Sequence, residues 1–567
     1  MSRHHVQLIV ENQIKMLRGG YLDILESKVL DIVQNPVQKD ETLQEVRHMF
    51  HCLKNMYSGL ETEYCRFKTF TECGAYIKPE AFIVGHSLSS KRLHGSVLME
   101  STDLYGQFIP MRLVLRAFLE LPGVLNKILS YMDKLERSDD SIIENLIQKK
   151  LWKEKIKPRF PGKLLLPVGC YYDEFEPGDT CSPRNGVNKI GGLYYFLPCL
   201  PPEDRAALEN IFTAQIVYAQ NKYFGNSELF RRTLHELQYL ETEGITVVID
   251  DTETQVYFAL AVFLGDNEGV HNVLGFTNSF NANYCCRRCK VQKIVSYTQT
   301  QANPSLLRNR QNYATDVVIN DVSSTGIKSY CIWNDLLAFH CTENIAYDIM
   351  HDLDEGSWNY DMCLLILKLI ELKRFTIDKL NNRIQGFDYG YCEASNRPGI
   401  LEIKNLKKRN LPFTAAQTLC FVRHFGLIVG DYITVEDKQL WRFYEVIVEI
   451  VNILLSLTVR RDEGRFLKNL VSEHHSLYLE LFPNETLKPK HHNMLHYNEC
   501  CEEIGPLLFM SCWRFEAKHR PSIQYAGANC CYKNLPETLA QKAQLKFCHR
   551  LLAQKGLEPK ITVSTGK

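Results

Sequence analysis

The sequence of 567 residues lacks an excess of charge of either sign, because 66 lysines and arginines balance 66 aspartates and glutamates. This balance excludes a protein that coats nucleic acid through bulk charge, but it is compatible with local basic patches. Long apolar runs are also missing. The most apolar stretch, residues 441–457, contains Arg442, Glu445, Glu449 and Asn452. It is too polar to span a membrane, so we expect no membrane partner.

Signal-peptide character is absent from residues 1–17, which carry charges every few residues. Cysteine, in contrast, is abundant, with 20 residues in the chain. In a chain of this length they do not indicate a disulfide scaffold. We therefore expect a nuclear protein, or one found in both cytoplasm and nucleus, with reduced thiols of which some bind metal.

The order of predicted elements indicates the fold class. Residues 1–160 are predicted to be mostly helical, since apolar residues recur at helical spacing without sustained strand alternation. Three strands are then predicted, at residues 163–175, 191–200 and 211–220. A helix at 227–244 follows them, and a fourth strand at 256–266 follows the helix. This is the order of a ribonuclease-H-like sheet, so we predict an α/β protein with a ribonuclease-H-like mixed sheet core.

Two aspartates stand at predicted strand ends. Asp173 ends the first strand of the core and Asp266 ends the fourth. The crossover helix places these strands side by side, so the two carboxylates lie close together. Such a pair raises the pKa of each member unless a cation lies between them, and two Mg²⁺ or Mn²⁺ ions would create a hydrolytic site there. Alternatively, the acids simply end their strands.

A cysteine pair has metal-ligand spacing. In the segment NANYCCRRCK, Cys286 and Cys289 form a CxxC that suits two thiolate ligands of one zinc ion. Cys285 leaves the register of the pair open. A lone CxxC supplies only half of a four-coordinate site, so a second pair of ligands is needed.

A histidine pair is the candidate for the other half. In KPKHHNMLHY, His492 and His496 are four residues apart and share one face of a helix. His491 competes with His492 for this role. Either pair alone is equally explained by packing or surface polarity, whereas together they complete a two-cysteine, two-histidine zinc site.

An acid-rich segment is a third candidate. Residues 348–356, DIMHDLDEG, contain His351, Asp352 and Glu355. This composition is typical of a metal site or of an acidic helix start.

Five blocks occur in an order that resembles a known family: YYDEFEPGDTCSPRNGVNKIGGLYYFL, FLGDNEGVHNVLGFTNSFNANYCCRRCK, AYDIMHDLDEG, LKPKHHNMLHY and GPLLFMSCWRFEAKHR. Over residues 45–550 the chain resembles the transposase-derived proteins of animal genomes that are related to CACTA (EnSpm) DDE transposases. The wider group includes hAT and Transib transposases and the V(D)J recombinase. Its ribonuclease-H-like core is interrupted by a large helical insertion.

The resemblance implies roles for particular residues. Asp173 and Asp266 correspond to the first two catalytic acids, and Glu516 in WRFEAKHR corresponds to the third, with Glu355 as the second candidate. A CxxC in the insertion pairs with a downstream HxxxH-like element around zinc. The implied reaction is DNA phosphodiester cleavage and strand transfer with Mg²⁺ or Mn²⁺.

The implied partners are double-stranded DNA, as transposon ends and target, and further copies of the chain in a homo-oligomer. Two basic runs, residues 287–290 and 404–409, either contact phosphates or form solvated charged faces. No zinc-finger or helix-turn-helix pattern for reading transposon ends is evident in the sequence. A catalytically silent, transposon-derived DNA- or protein-binding protein is therefore the alternative, and a nuclease acting on RNA is a third reading.

The predicted division of the chain follows from this resemblance. It comprises a helical N-terminal region (residues 1–160), the first part of the core (161–270) and the insertion with the CxxC (271–485). A segment with the HxxxH element and the final catalytic helix (486–550) and a tail (551–567) follow.

Overall fold

The computed structural model describes residues 3–33, 40–93, 96–177, 188–529 and 533–557. The chain is a mixed α/β protein, 57% helical, with a curled mixed sheet and a helical N-terminus. Residues 178–187 of the first sequence block and the part of the predicted tail from residue 558 lie outside the described residues.

Nine strands are present in the described ranges: β1 (Glu80–Leu93), β2 (Ser96–Phe108), β3 (Ile142–Ile143), β4 (Leu165–Phe175), β5 (Ile190–Phe196), β6 (Ile211–Tyr218), β7 (Ile245–Ile249), β8 (Thr252–Leu264) and β9 (Val459–Arg460). Seven form one sheet in the order β1-β2-β6-β5-β4-β8-β7, and β3 pairs separately with β9.

The α-helices of the first half are α1 (Arg3–Arg18), α2 (Tyr21–Val33), α3 (Asp40–Lys54), α4 (Glu63–Glu72), α5 (Met111–Leu119), α6 (Val124–Glu136), α7 (Pro202–Arg205), α8 (Asn226–Leu229), α9 (Arg231–Thr242), α10 (Asn267–Leu274) and α11 (Lys293–Ser296). Those of the second half are α12 (Arg310–Ile319), α13 (Val322–Thr325), α14 (Trp358–Glu371), α15 (Ile377–Gly386), α16 (Ile403–Lys407), α17 (Ala415–Val429), α18 (Lys438–Leu454), α19 (Glu463–Leu481), α20 (Pro489–Met494), α21 (Tyr497–Glu503), α22 (Trp513–Asn529) and α23 (Leu535–Leu552).

The four predicted core strands and the helix before the fourth are confirmed as β4, β5, β6, α9 and β8. β4 lies in the interior of the sheet, where it is antiparallel to β5 on one side and parallel to β8 on the other. Its residues 165–172 are all buried, as are residues 258–264 of β8. Continuous apolar sequence is what a strand needs when both faces of the sheet are covered.

Two hairpins, β1–β2 and β7–β8, were not predicted from the sequence. The N-terminal region is mostly helical as predicted, but β1 and β2 form a long hairpin that joins the sheet where Gln107 and Phe108 pair with β6. β7 pairs with β8 across Asp250 and Asp251, both at positive φ, as a two-residue hairpin turn requires. β1 and β2 lack apolar alternation because much of the hairpin is exposed.

Two large hydrophobic cores organise the described residues, and a small third cluster contains Cys286, Cys289 and Val291. One surrounds the sheet and includes α22 and α23, whereas the other lies among the helices of residues 347–507. Among the described residues, no helix has both the length and the apolar character needed to cross a membrane.

Strand β4 depends on a glycine. Gly169 of β4 faces Phe196 of β5, and a Cβ at Gly169 would lie 2.3 Å from the ring atom Cζ. We expect Gly169→Ala to lower the free energy of unfolding by about 1–3 kcal/mol through overpacking, as measured by urea denaturation.

Gly386→Ala is the matched control, because nothing lies within 4 Å of the position a Cβ would take at the end of α15. Its effect should stay within about 0.5 kcal/mol. An equal loss of stability in both variants would show that the Phe196 ring does not require Gly169.

Candidate active site and metal centre

The two predicted catalytic aspartates lie at neighbouring ends of parallel strands. β4 and β8 pair in parallel from Leu165–Tyr257 to Tyr171–Leu264, with one register shift between Val168 and Gly169, and Asp173 and Asp266 each lie two residues beyond the last pair. Asp266 caps α10 and accepts a hydrogen bond from the Gly269 N–H at 2.5 Å. The start of α10 therefore holds the second carboxylate beside the end of β4.

Asp173 is held by its own strand. Its Oδ2 accepts a hydrogen bond from the Tyr171 hydroxyl at 3.0 Å, and its Oδ1 accepts one from the Glu174 N–H at 2.7 Å. Nδ1 of His519, on α22, lies 3.6 Å from Asp173 Oδ2. The side chain is 19% exposed, so the carboxyl group is largely removed from water without being sealed from it.

Glu516 reaches the same region from the first turn of α22. The preceding residue, Phe515, stacks on Tyr171 of β4 with ring centroids 4.5 Å apart. This contact fixes the start of α22 against β4. Glu516 Oε1 lies 3.2 Å from His351 Nε2.

The three acids interact electrostatically. Burial, followed by the negative charge of Asp266 and, more weakly, that of Glu516, raises the pKa of Asp173 to about 7. The hydrogen bonds from Tyr171 and Glu174 oppose this shift. The fold thus gathers negative charge around the carboxyl group of Asp173. A bound divalent cation would offset the resulting electrostatic repulsion.

The three carboxylates do not themselves form a tight metal-ligand group. Among the described residues, two groups have ligand atoms that all lie within 4.8 Å of one another: Cys286, Cys289, His492 and His496, and Asp348, His351 and Cys512. The second group borders Glu516, whose carboxylate contacts His351.

His351 lies between two acids. Its Nδ1 is hydrogen-bonded to buried Asp348, and its Nε2 contacts Glu516. Burial lowers the pKa of His351, but the hydrogen bonds with these acids outweigh it and raise the pKa to about 11. His351 is therefore an imidazolium at neutral pH. Asp348 also accepts hydrogen bonds from Ser511 Oγ and the Cys512 N–H, which fasten it to the segment before α22.

The alternative residues of the acid-rich segment have other partners. Glu355 is about half exposed, and its Oε2 lies 3.9 Å from His351 Nε2. Asp352 is fully buried and accepts hydrogen bonds from the side chains of Asn267, Asn493 and Tyr497 at 2.7, 2.9 and 3.2 Å. The carboxylate of Asp352 is therefore bound by three neutral hydrogen-bond donors, which connect its segment to α10, α20 and α21.

The four cysteine and histidine residues predicted as metal ligands converge and are all buried. Cys286 Sγ lies 3.6 Å from His496 Nε2, and Cys289 Sγ lies 3.3 Å from His492 Nε2. The N–H groups of Arg288 and Cys289 each donate to Cys286 Sγ at 3.3 Å. Burial raises the pKa of Cys286, but a hydrogen bond with Cys289 and the two histidines lower it well below its usual value. The cluster could hold one metal ion.

The structure shows which of the alternative cysteines and histidines belong to the cluster. Cys285 is not part of the cluster. His491 Nε2 lies 3.0 Å from Asp361 Oδ1, and its Nδ1 accepts a hydrogen bond from the Lys488 N–H. The expected single helix face is wrong in detail, since α20 ends at Met494 and His496 precedes α21. The chain turns between the two histidines, yet both Nε2 atoms face the thiols.

A hydrogen bond connects the CxxC turn with Asn267, the residue that follows Asp266. The buried Arg287 guanidinium donates to Asn267 Oδ1 at 2.7 Å, next to Asp266, and lies 4.0 Å above the Tyr347 ring. Arg288 donates to Glu503 at 2.5 Å. The possibility that the run at 287–290 contacts phosphates is wrong for both arginines, because the fold buries them.

Sequence reasoning missed some of these residues. Asp348 precedes His351 by three residues, and this same-face spacing was a signal that could have identified it. Asn267 and Arg287 carried no comparable signal, because their roles depend on elements that only the fold brings together.

The chain was also compared with known proteins. No protein-family model matches it, and no curated protein gives a significant match.

Cys286→Ser should lower both metal content and the melting temperature, because a closed metal site contributes directly to folding free energy. We expect a loss of several kcal/mol, comparable to that caused by a strong chelator in the unmodified protein. Elemental analysis and thermal unfolding measure the two quantities.

Cys285→Ser is the matched control, since Cys285 is adjacent in sequence but outside the cluster. It should keep both metal and stability. Equal melting temperatures with and without chelator would contradict a structural metal ion.

Asp173→Asn should stabilise the protein free of divalent ions at pH 8. A folded-state pKa of about 7, above the unfolded value, means that the folded state binds more protons. The free energy of unfolding therefore falls as pH rises from about 4 to 7, and the loss is complete above that window. We expect the variant to be more stable at pH 8 by on the order of 2 kcal/mol, and the two to converge near pH 4.

Denaturant unfolding at both pH values measures this difference. Asp251→Asn, in the exposed β7–β8 turn, should show no such pH-dependent difference. A destabilised Asp173→Asn variant at pH 8 would show that repulsion does not dominate at this carboxyl group.

Proposed function

We propose that this chain is a DDE-type transposase-like protein that cleaves DNA phosphodiester bonds and transfers strands, using Mg²⁺ or Mn²⁺. The observation that carries the proposal is the placement of Asp173 and Asp266 at adjacent ends of parallel strands, with Glu516 close enough to act on the pKa of Asp173. Acids gathered in this way suit metal-assisted phosphodiester chemistry.

The arrangement of the sheet supports a ribonuclease-H-like core. Strands β6, β5 and β4 are antiparallel neighbours, α9 follows them in sequence, and β8 returns parallel to β4. Phe263 of β8 also pairs in parallel with Ile345, on the side away from β4. This matches the predicted order of three strands, a helix, and a fourth strand beside the first.

The position of the third acid supports the same proposal. The helical unit with its own core, residues 347–507, stands between Asp266 and Glu516, as expected for an insertion into such a core. Asp173, Asp266 and Glu516 would hold the divalent ions, which when bound supply an activated water and stabilise the leaving 3′ oxygen. His351 keeps the Glu516 carboxylate oriented through its contact with Asp348.

Zinc is the metal that we propose for the cluster of Cys286, Cys289, His492 and His496. Two thiolates and two imidazoles form a closed tetrahedral donor set that zinc prefers in structural sites. Glu499 lies 3.3 Å from His496 Nδ1 and supports that ring from outside the cluster. One zinc ion per chain is the expected content.

The proposed partner is double-stranded DNA, as transposon ends and as target. Because two ends are cut together in such reactions, we also propose a homo-oligomer. A nuclear location follows from this proposal.

The test is nicking of labelled duplex DNA that carries the inverted repeats flanking the coding sequence, with Mg²⁺ or Mn²⁺. We expect the unmodified protein to nick the DNA, and Asp266→Asn and Glu516→Gln each to reduce the rate by about a hundredfold or more, because each removes a metal ligand. Circular dichroism and zinc content should stay unchanged in both variants.

Glu355→Gln is the matched control, since Glu355 also borders His351 but is more exposed than Glu516. It should retain nicking. If Glu355→Gln abolishes cleavage and Glu516→Gln does not, the third acid is Glu355. No cleavage by the folded, zinc-loaded unmodified protein would instead favour a catalytically silent transposon-derived binding protein.

A further inference from the structure

A second concave site lies on the far side of α22 from the carboxylates. A cavity of about 350 Å³ opens between strands β5 and β6 and helices α22 and α23. None of the three proposed catalytic acids lines it. A volume of this size suits a small organic ligand.

The cavity lining is strongly basic. Six basic side chains face one acidic residue, Glu209: Lys518, Lys542, Lys546, His549, Arg550 and Lys555. Within the described ranges, none of the six forms an ion pair with a carboxylate. The cavity lining therefore carries a local excess of basic over acidic side chains. It favours an anionic ligand.

Lys518 is the cavity residue that two of the other basic side chains, Lys546 and Arg550, influence electrostatically. Its Nζ donates a hydrogen bond to the Leu208 carbonyl at 2.7 Å. Burial, followed by the charges of Lys546 and Arg550, lowers the pKa of Lys518 to about 7, with Glu209 opposing the shift. An anion placed among these groups would relieve their repulsion.

Apolar and polar groups complete the site. Phe212, Leu539 and Phe547 supply an apolar wall. Gln544 is 4% exposed, and its side-chain carbonyl oxygen has no hydrogen-bond partner. A buried acceptor of this kind needs an N–H or O–H donor, which a ligand entering the cavity can supply. Lys542 Nζ lies 4.7 Å above the ring of Tyr525, which also lines the cavity.

We propose that this cavity binds a nucleotide. The phosphates lie against Lys518, Lys542 and Lys546, and the sugar and base lie along the apolar wall, where Gln544 accepts a hydrogen bond. The ligand is either a free nucleotide or a nucleotide of a DNA strand, since both present the same chemistry. The site does not use the carboxylate cluster, so it stands whether or not the protein cleaves DNA.

Equilibrium binding to the full-length, metal-loaded protein tests the proposal, with adenosine triphosphate, pyrophosphate and a short 5′-phosphorylated single-stranded oligonucleotide as probes. The double variant Lys542→Ala/Lys546→Ala should bind nucleotide roughly tenfold more weakly or worse, because two charge-assisted contacts are lost. Lys407→Ala/Lys408→Ala is the matched control, removing the same charge at exposed positions outside the cavity, and should bind as the unmodified protein does.

Gln544→Leu separates a ligand role from a structural role. Because the Gln544 carbonyl oxygen is unsatisfied in the free protein, we expect unchanged or higher resistance to denaturant. Its affinity for adenosine triphosphate should fall severalfold, whereas its affinity for pyrophosphate should not change.

Saturable binding of adenosine triphosphate would support a free nucleotide as ligand, and saturable binding of the oligonucleotide alone would support a strand. Absence of saturable binding to either probe, or equal weakening in the cavity variant and the exposed control, would overturn the proposal.

Discussion

The convergence of Cys286 and Cys289 with His492 and His496 is the constraint on which the rest of the structure depends. Cys289 and His492 are 203 residues apart, yet their ligand atoms lie 3.3 Å from each other in a buried site. The helical unit between them has its own core and does not need the sheet to bury its apolar surface. The cluster therefore fixes where the chain leaves the sheet and where it returns with α22.

A buried polar network extends from this cluster to the carboxylates. Arg287, in the CxxC turn, binds Asn267, and Asn267 in turn binds Asp352 in the acid-rich segment. Asn493, next to the cluster histidine, donates to the same Asp352. Asp348 and His351 continue the network to Glu516. Such a network is stable only when its members are satisfied together, so the geometry of the two centres is linked.

Helix α22 separates two regions of opposite charge. Its first turn faces Asp173 and Asp266, where burial and repulsion raise the pKa of a carboxyl group. One turn further, Lys518 enters a basic cavity where burial and repulsion lower the pKa of an amine. In both places like charges gather at a cost in folding stability. Costs of this kind concentrate where a protein binds ions or ligands.

The sequence by itself determined the central strands, because their apolar runs have only one stable place, the buried middle of a sheet. It also determined the CxxC and the paired histidines, since ligand spacing is local. It did not reveal β7, the β1–β2 hairpin, or the partners of Asp348 and Arg287. Tertiary structure alone decided between Cys285 and Cys286, between His491 and His492, and which acid contacts His351. Those choices depend on distances between segments far apart in the chain, which local periodicity does not encode.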